Sequence, residues 1–327
     1  MDKEMEIIDL EDDLYILNTY GEELTKKDYI TNPAIARDAE IKQTMIVLLT
    51  PEKSALLVGH AGIGKTAIVE GLAYLIQRNQ VPDALKGYKI IKINSTSLTG
   101  KMIRNGKEEI VVSLLVQELK KVEKTILFID EIHTLIGGNQ DGPMDLANIL
   151  KPALDRGDVK VIGATTTEEY NAYVVRDRAF LRRFDKIEVT EPSMDTTVKI
   201  LMGTLPKIEK QTGVKFKYNE YVSEKLVRSI VEATSEFKRV YGLAAMYPDV
   251  SLSVLTQAFS NALYQNKKEA DILDVYMAIK MSKRIYPDSI VKELNAFRER
   301  HADIAKEDNI VLPIVTIDEV KNAYEMF

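Results

Sequence analysis

The sequence of 327 residues contains no cysteine. Disulfides, thiolate metal sites and cysteine nucleophiles are thereby excluded, and a reducing compartment is compatible with the composition. No apolar run approaches the roughly 20 residues needed to span a bilayer. The opening "MDKEMEIIDLEDD" is acidic and lacks the apolar core of a signal peptide. A cytoplasmic protein without membrane contact is expected. Low-complexity segments and internal repeats are also missing. The formal net charge is −6, so bulk electrostatics offers no attraction to nucleic acid or acidic lipid, although a local basic patch is compatible with it. What is present is 45% hydrophobic and 29% charged residues, which suits a globular chain with a sizeable core. The length is better divided between two packed units than held in one.

Five short apolar runs alternate with helical patterns: "SALLV" (54–58), "YKIIKI" (88–93), "TILFID" (125–130), "VKVIGA" (159–164) and "FDKIEV" (184–189). Their length and spacing predict an α/β fold with a five-stranded parallel sheet flanked by helices. After "TEPS" (190–193) the strand runs stop, and helical periodicity takes over to about residue 286, with Leu226, Ile230, Val231, Leu252, Leu255 and Phe259 on apolar positions. Asp195 and Thr196 are expected to start the first of these helices. The boundary near residue 193 therefore separates a sheet domain from a smaller, mostly helical one. Pro287 opens a further helix through "PDSIVKELNAFRERHADIAKE", whose mixed charges suggest a solvent-exposed surface. The tail "LPIVTIDEVKNAYEMF" reads as a short strand and a final helix.

Gly59, His60, Ala61, Gly62, Ile63, Gly64, Lys65 and Thr66 fit the phosphate-loop spacing G-x-x-x-x-G-K-[ST], between a strand and a helix. Glycines let successive N–H groups turn inward toward phosphate oxygens, and the following helix adds its positive end. Lys65 is placed at the outer phosphates of ATP, and the Thr66 hydroxyl beside Mg²⁺. In "TILFIDEIH" an apolar strand ends in two carboxylates, Asp130 and Glu131. Asp130 can reach the metal ion through a water, while Glu131 points elsewhere and can polarise an attacking water. The spare carboxylate suggests hydrolysis rather than nucleotide storage.

Taken together, these stretches resemble the first ATPase module of the Clp-type AAA+ unfoldases and disaggregases. The resemblance covers nearly all of residues 14–193 and, more loosely, the rest. "LNTYGEELT" (17–25) is similar to the family's leading segment. "NPAIARDAEI" (32–41) is similar to the stretch that closes over the adenine, which places Ile35 and Ala36 there, with Ala36 where the family usually has glycine. "GKTAIVEGLAYLI", "VPDALKG" and "GPMDLANILKPALDRGDVKVIGATTTEEY" (142–170) follow in the family's order. The resemblance implies an N-terminal arm over 1–31, a large nucleotide-binding domain over 32–193, a small helical domain over 194–286 and an extra part over 287–327. It makes Thr166 the polar sensor near the γ-phosphate and Arg182 and Arg183, in "FLRRF" (180–184), the arginine finger that enters a neighbouring subunit's site. A finger acting in trans implies a homo-hexamer. In "YPDVSL" (247–252), Val250 replaces the lysine of the family's "LPDKA", so nucleotide sensing from the small domain is not expected.

A stand-alone single module is expected, without an N-terminal substrate domain, a second ATPase module or a long coiled-coil arm. Docking of a Clp peptidase is not expected, since "YGL" (241–243) lies in the small domain and reads as structural. The family grips polypeptide with an aromatic pore residue; the corresponding "TGKMIRNGKEE" (99–109) has none. Here Met102 and Ile103 could grip as aliphatic side chains, Lys101, Arg104 and Lys107 could contact phosphate backbones, or the loop could simply connect, with Met102 tucked against neighbours. The matching functions are remodelling of protein clients, alone or through an adaptor, a nucleic-acid-associated AAA+ switch such as a loader or recombination helper, and a regulatory ATPase without threading.

Overall fold

The five apolar runs form five adjacent strands of a six-stranded sheet. In the computed structural model of the chain, which describes residues 7–8, 13–98, 100–104, 107–136, 149, 159–240 and 246–325, the strands are β1 (Ile7–Ile8), β2 (Gly21–Glu23), β3 (Ser54–Val58), β4 (Lys89–Asn94), β5 (Lys101–Arg104), β6 (Lys107–Ile110), β7 (Thr125–Asp130), β8 (Lys160–Thr165) and β9 (Phe184–Glu188). The main sheet runs β2-β4-β7-β8-β3-β9. Five of these strands are parallel. All five residues of β3 and the middle four of β7 are buried, as expected for strands covered on both faces. The sixth strand, β2, is an addition to the five-stranded expectation: it pairs antiparallel with β4, Gly21 opposite Ile93 and Glu23 opposite Ile91. Its three residues are too few for an alternating pattern to show in sequence.

The chain divides into two compact units, Met1–His60 with Lys65–Thr190, and Ala61–Gly64 with Glu191–Phe327. In the first unit, the helix Lys65–Gln77 buries Ile68, Val69, Leu72, Ala73 and Ile76. A Cβ on its Gly71 would come within 2.3 Å of the Ala34 Cβ, so glycine is what lets the segment at 32–36 lie against this helix. The leading helix Tyr15–Tyr20 is held differently. Its first N–H groups have no partner within the helix. The buried Glu118 carboxylate, on the helix Val111–Leu119, accepts from the Ile16 and Leu17 N–H groups, each at 2.9 Å.

The stretch read as a pore loop is a hairpin. β5 pairs antiparallel with β6, Met102 opposite Glu109, and on its other edge pairs in parallel with β1, Ile7 opposite Ile103. Met102 is only 5% exposed and belongs to the same apolar cluster as Leu98, Val112 and Leu115. It is therefore a core side chain rather than a gripping one, and Ile103 is the half-buried member of the pair. Lys101 is exposed and ion-paired to Glu108 at 2.8 Å, which cancels part of the basic character expected of this stretch.

The second unit is helical: Met194–Thr212, Glu220–Ala233, Asp249–Tyr264, Ile272–Lys280, Pro287–Arg300, Ala302–Glu307 and Ile317–Glu325, with one small parallel pair, Lys215–Phe216 beside Glu269–Ala270. Leu226, Ile230, Val231, Leu255 and Phe259 are buried together in its core, as is Val250. Ser193, rather than Asp195 or Thr196, caps the first helix by accepting from the Thr196 N–H at 3.2 Å. The helix from Pro287 buries Ile290, Leu294 and Phe297, so the surface expected from its charges is only one of its faces. No strand forms over 310–316; Leu312 and Val315 are buried side chains on irregular backbone. The "YGL" stretch lies outside the described residues.

The helical run from Pro287 breaks at His301, whose ring is 1% exposed. Its Nε2 lies 2.8 Å from Ser229 Oγ, and its Nδ1 has no hydrogen-bond partner among the described residues. Burial, reinforced by Arg300, pushes the imidazole down to about 4 from its ordinary 6.5. The folded state therefore holds His301 neutral where the unfolded chain takes up a proton. Its contribution is complete above pH 6.5 and is lost as pH falls toward 4, at about 1.4 kcal/mol per pH unit. Denaturant titrations between these limits should show that slope reduced in His301→Gln; an unchanged slope would mean the ring is protonated in the folded state.

Candidate functional site

The strand order sets β7, β8 and β3 side by side, and the parallel sense brings their carboxyl ends to one edge of the sheet. An open α/β sheet binds ligands outside such strand ends. The loop after β3 turns through Gly62 (φ 77°) and Gly64 (φ 99°), both in the left-handed region that favours glycine, while Ile63 is fully buried and anchors it. His60 and Ala61 are exposed. Lys65 opens the helix and folds back, its ammonium donating to the carbonyls of Gly59 (2.8 Å) and His60 (2.9 Å). Burial lowers the Lys65 pKa against the opposing pull of Asp130, Glu169, Glu168 and Glu131.

Thr66 and Asp130, far apart in sequence, meet here: the Thr66 hydroxyl donates to Asp130 Oδ2 at 3.0 Å. The Lys92 ammonium lies 3.9 Å from the same oxygen. Glu131 is exposed and takes a left-handed conformation (φ 53°), so its side chain leaves the strand in a different direction from that of Asp130. The turn that follows, Ile132–Leu135, seats Ile132 on Gly163 of β8; a Cβ there would lie 2.9 Å from Ile132 Cδ1.

Thr166 follows β8 and caps the short helix Thr167–Glu169 through a capping box. Its Oγ1 accepts from the Glu169 N–H at 3.2 Å, and its own N–H donates to Glu169 Oε2 at 3.0 Å. The same carboxylate oxygen lies 3.1 Å from His133 Nδ1 and accepts from the Thr165 hydroxyl at 3.3 Å. The His133 ring stacks on Tyr173, centroids 5.9 Å apart. Glu168, the preceding residue, places Oε1 2.9 Å from Nδ1 of His60 in the phosphate loop. Burial pushes the Glu169 carboxyl up, but the hydrogen bonds from Thr166 and the His133 and Thr165 contacts outweigh it, and the group titrates below its ordinary value.

Ala36 sits at φ 56°, which explains why a glycine suits this position. Ile35 beside it is half-buried. Arg37 next in the chain is buried, paired to Glu40 at 2.7 Å and donating to the Thr190 carbonyl at 3.1 Å, which fixes the segment to the end of the sheet. The two arginines of "FLRRF" differ. Arg183 donates to the Ala179 carbonyl at 2.7 Å within its own turn, whereas the Arg182 side chain is exposed and has no ion-pair partner among the described residues.

Residues 55–191 match the ATPase family associated with various cellular activities (AAA). A probable ATP-dependent Clp protease ATP-binding subunit of Chlamydia pneumoniae is 36% identical over 254 residues, 76% of this chain and 29% of that protein. The chaperone ClpB of Aquifex aeolicus is 40% identical over 229 residues, 69% of this chain and 22% of the relative. A closed-state cryo-microscopy reconstruction of Hsp104 with ATPγS and FITC-casein superposes with a TM-score of 0.71 at 32% identity, covering 95% of this chain and 52% of that one. The chain contains a Clp-type AAA+ ATPase module. It spans less than a third of the length of these curated relatives and about half of the Hsp104 chain.

The donor set of the module suits Mg²⁺ with a nucleotide. Thr66 and Asp130 supply two hard oxygens, and the rest of an octahedral shell is normally filled by water and phosphate. Among the described residues there is no cluster of three or more His, Asp or Glu side chains that could cage a metal ion. Sequence reading passed over Glu169, His133 and Lys92. The T-x-x-E spacing of Thr166 and Glu169 was a legible capping signal, but the pairing of His133 with Glu169 had no local trace.

Proposed function

We propose that this module hydrolyses ATP and couples the turnover to remodelling of polypeptide in a homo-hexameric ring. The observation that carries the hydrolytic half is the 3.0 Å contact between Thr66 and Asp130, with Glu131 exposed one residue further on. The N–H groups of residues 59–66 and the Lys65 ammonium receive the phosphates, and Ile35 and Ala36 lie toward the adenine. Mg²⁺, when bound, is held by Thr66 and Asp130 and offsets phosphate charge. Glu131 takes the proton of the attacking water. Thr166 already accepts a hydrogen bond from the Glu169 N–H, which leaves its hydroxyl proton to donate toward that water or the γ-phosphate. Arg182, the exposed member of its pair, reaches the neighbouring subunit and Arg183 braces the turn that presents it.

Support for a protein client comes from the Hsp104 reconstruction, which holds casein, and from the Clp and ClpB relatives. With Met102 buried and Lys101 ion-paired, Ile103 is the side chain among the described residues of β5 that we assign to touch such a client, directly or through an adaptor. A cytoplasmic location and the absence of a Clp peptidase partner belong to the same reading. No helix among the described residues is long and apolar enough to cross a membrane.

Glu131→Gln should lower turnover by ~10²-fold or more while ATP affinity stays within about threefold, because the carboxamide cannot accept the proton. Lys65→Ala should lose the binding itself. Phosphate release and fluorescent-nucleotide titration separate these outcomes, and normal turnover in Glu131→Gln would remove Glu131 from the role of base.

Arg182→Ala should slow hydrolysis by ~10²-fold or more at nearly unchanged affinity, with a smaller loss in Arg183→Ala. Mixing Arg182→Ala with Lys65→Ala subunits should restore part of the rate. A rate that is independent of protein concentration and shows no such rescue would argue for a working monomer.

Ile103→Ala should weaken capture of fluorescent casein by an ATP-loaded Glu131→Gln assembly and leave ATP hydrolysis of the otherwise wild-type chain intact. Met102→Ala should instead lower thermal stability, by about 2–4 kcal/mol, as large-to-small changes in a core do. Equal casein capture by Ile103→Ala and wild type would leave the hairpin without a client-gripping role.

A further inference from the structure

The helix Thr167–Glu169 has only three residues and buries none of them, so packing does not fix it in place. Yet it carries Thr166 at its cap and sits between the two other motifs of the site. Its two carboxylates point to different partners: Glu168 to His60 of the phosphate loop, and Glu169 to His133 on the turn that begins at Glu131. Side-chain exposure separates them. His60 and Glu168 are 47% and 66% exposed, and an ion pair of that kind contributes little. His133 and Glu169 are 12% and 32% exposed, and further contacts brace both.

Resting on the reading of Glu131 as base and Thr166 as sensor, we propose that Glu169 is a positioning residue that sets both at once. A single oxygen, Oε2, accepts from the Thr166 N–H, accepts from the Thr165 hydroxyl and faces His133. Toward β8, this fixes the backbone of Thr166, and the reciprocal bond from the Glu169 N–H occupies a lone pair of the Thr166 hydroxyl. The hydroxyl proton is thereby turned outward. Toward β7, His133 follows Glu131 by two residues, and its ring is held between Glu169 on one side and Tyr173 on the other. Glu131 itself occupies a left-handed conformation that an L-residue keeps only when its surroundings over-determine it. The His133 anchor, with Ile132 seated on Gly163, supplies that constraint. Tyr173 belongs to the π-helical turn Tyr170–Val174, a wide turn often found at functional sites. Glu169 never touches the reacting atoms. It acts through the two residues that do, and its ionised form, favoured by the hydrogen bonds it receives, accepts from both threonines while facing His133.

The test compares Glu169→Ala, Glu169→Gln, His133→Ala and the His133→Ala/Glu169→Ala double variant in the full chain with Mg²⁺ and ATP, reading kcat, KM, fluorescent-nucleotide affinity and thermal midpoint. Glu169→Ala should lose about 10- to 100-fold in kcat with affinity within about threefold, since positioning acts on the transition state rather than on binding. Glu169→Gln keeps an acceptor for Thr166 and should recover most of that loss. His133→Ala and Glu169→Ala should be strongly non-additive, because each removes the same constraint. Three results would overturn the proposal: wild-type kcat in Glu169→Ala, a loss that follows affinity in equal proportion, or additive single effects. Glu131→Gln run alongside keeps the two readings apart. If it retains turnover, the assignment of the base fails; if it is inactive while Glu169→Ala is normal, only the positioning role fails. Should Glu169→Ala unfold, the kcat of Glu169→Gln relative to His133→Ala decides: a Gln variant no better than His133→Ala would sink the idea.

Discussion

Three strand ends must finish at one edge of the sheet for this site to exist. β3 delivers the phosphate loop, β7 delivers Asp130 and Glu131, and β8 delivers Thr165 and Thr166. β8 comes after β7 in chain order, but β3, which lies on the other side of β8, precedes both, with β4, β5 and β6 in between. Parallel pairing allows the arrangement because each strand returns by a crossover, and the crossover leaves all carboxyl ends on the same side. The 3.0 Å contact from Thr66 to Asp130 is the local consequence, joining residues 64 positions apart. The flatness of β8 under the turn after β7 is another: only a glycine at position 163 leaves room for Ile132.

The charge at this edge is concentrated and of one dominant sign. Lys65 faces Asp130, Glu131, Glu168 and Glu169, with Lys92 as the other cation near Asp130. Such a cluster is costly if left uncompensated. The structure spreads the cost over defined partners. Lys65 is held by two loop carbonyls, Asp130 by the Thr66 hydroxyl and the Glu131 N–H, and Glu169 by two Thr donors and a histidine. Glu131, by contrast, stays exposed at the start of its turn, which suits the role of base proposed for it.

The hairpin of β5 and β6 shows the same economy in another part of the first unit. A segment without aromatic residues is stiffened by backbone pairing on both edges of β5 and by burial of Met102. The buried Glu118 carboxylate ties the leading helix to the helix that follows this hairpin, so the arm, the hairpin and that helix form one connected patch. Pairing on both edges of β5 fixes the register in which Ile103 lies, opposite Ile7 on one side and Glu108 on the other.

Much of the module could be read without coordinates, because the relevant signals are short. The phosphate loop needs eight consecutive residues, the acidic strand needs nine, and the apolar runs that became β3, β4, β7, β8 and β9 are each complete within their own length. Propensity, burial pattern and glycine placement act over that range. Tertiary structure decided what depends on partners distant in sequence. β2 became a strand only because β4 offered it an edge, and Met102 went inside because the cluster around Leu115 covered it. Glu118 is a buried carboxylate that accepts from two N–H donors 102 and 101 residues away, which no local pattern could announce. His133 and Glu169 meet across β7 and β8, and the absence of a strand at 310–316 reflects the lack of any strand pairing there. A residue's identity states what it can donate, accept or bury; which neighbour satisfies it is settled by the packing of the whole unit.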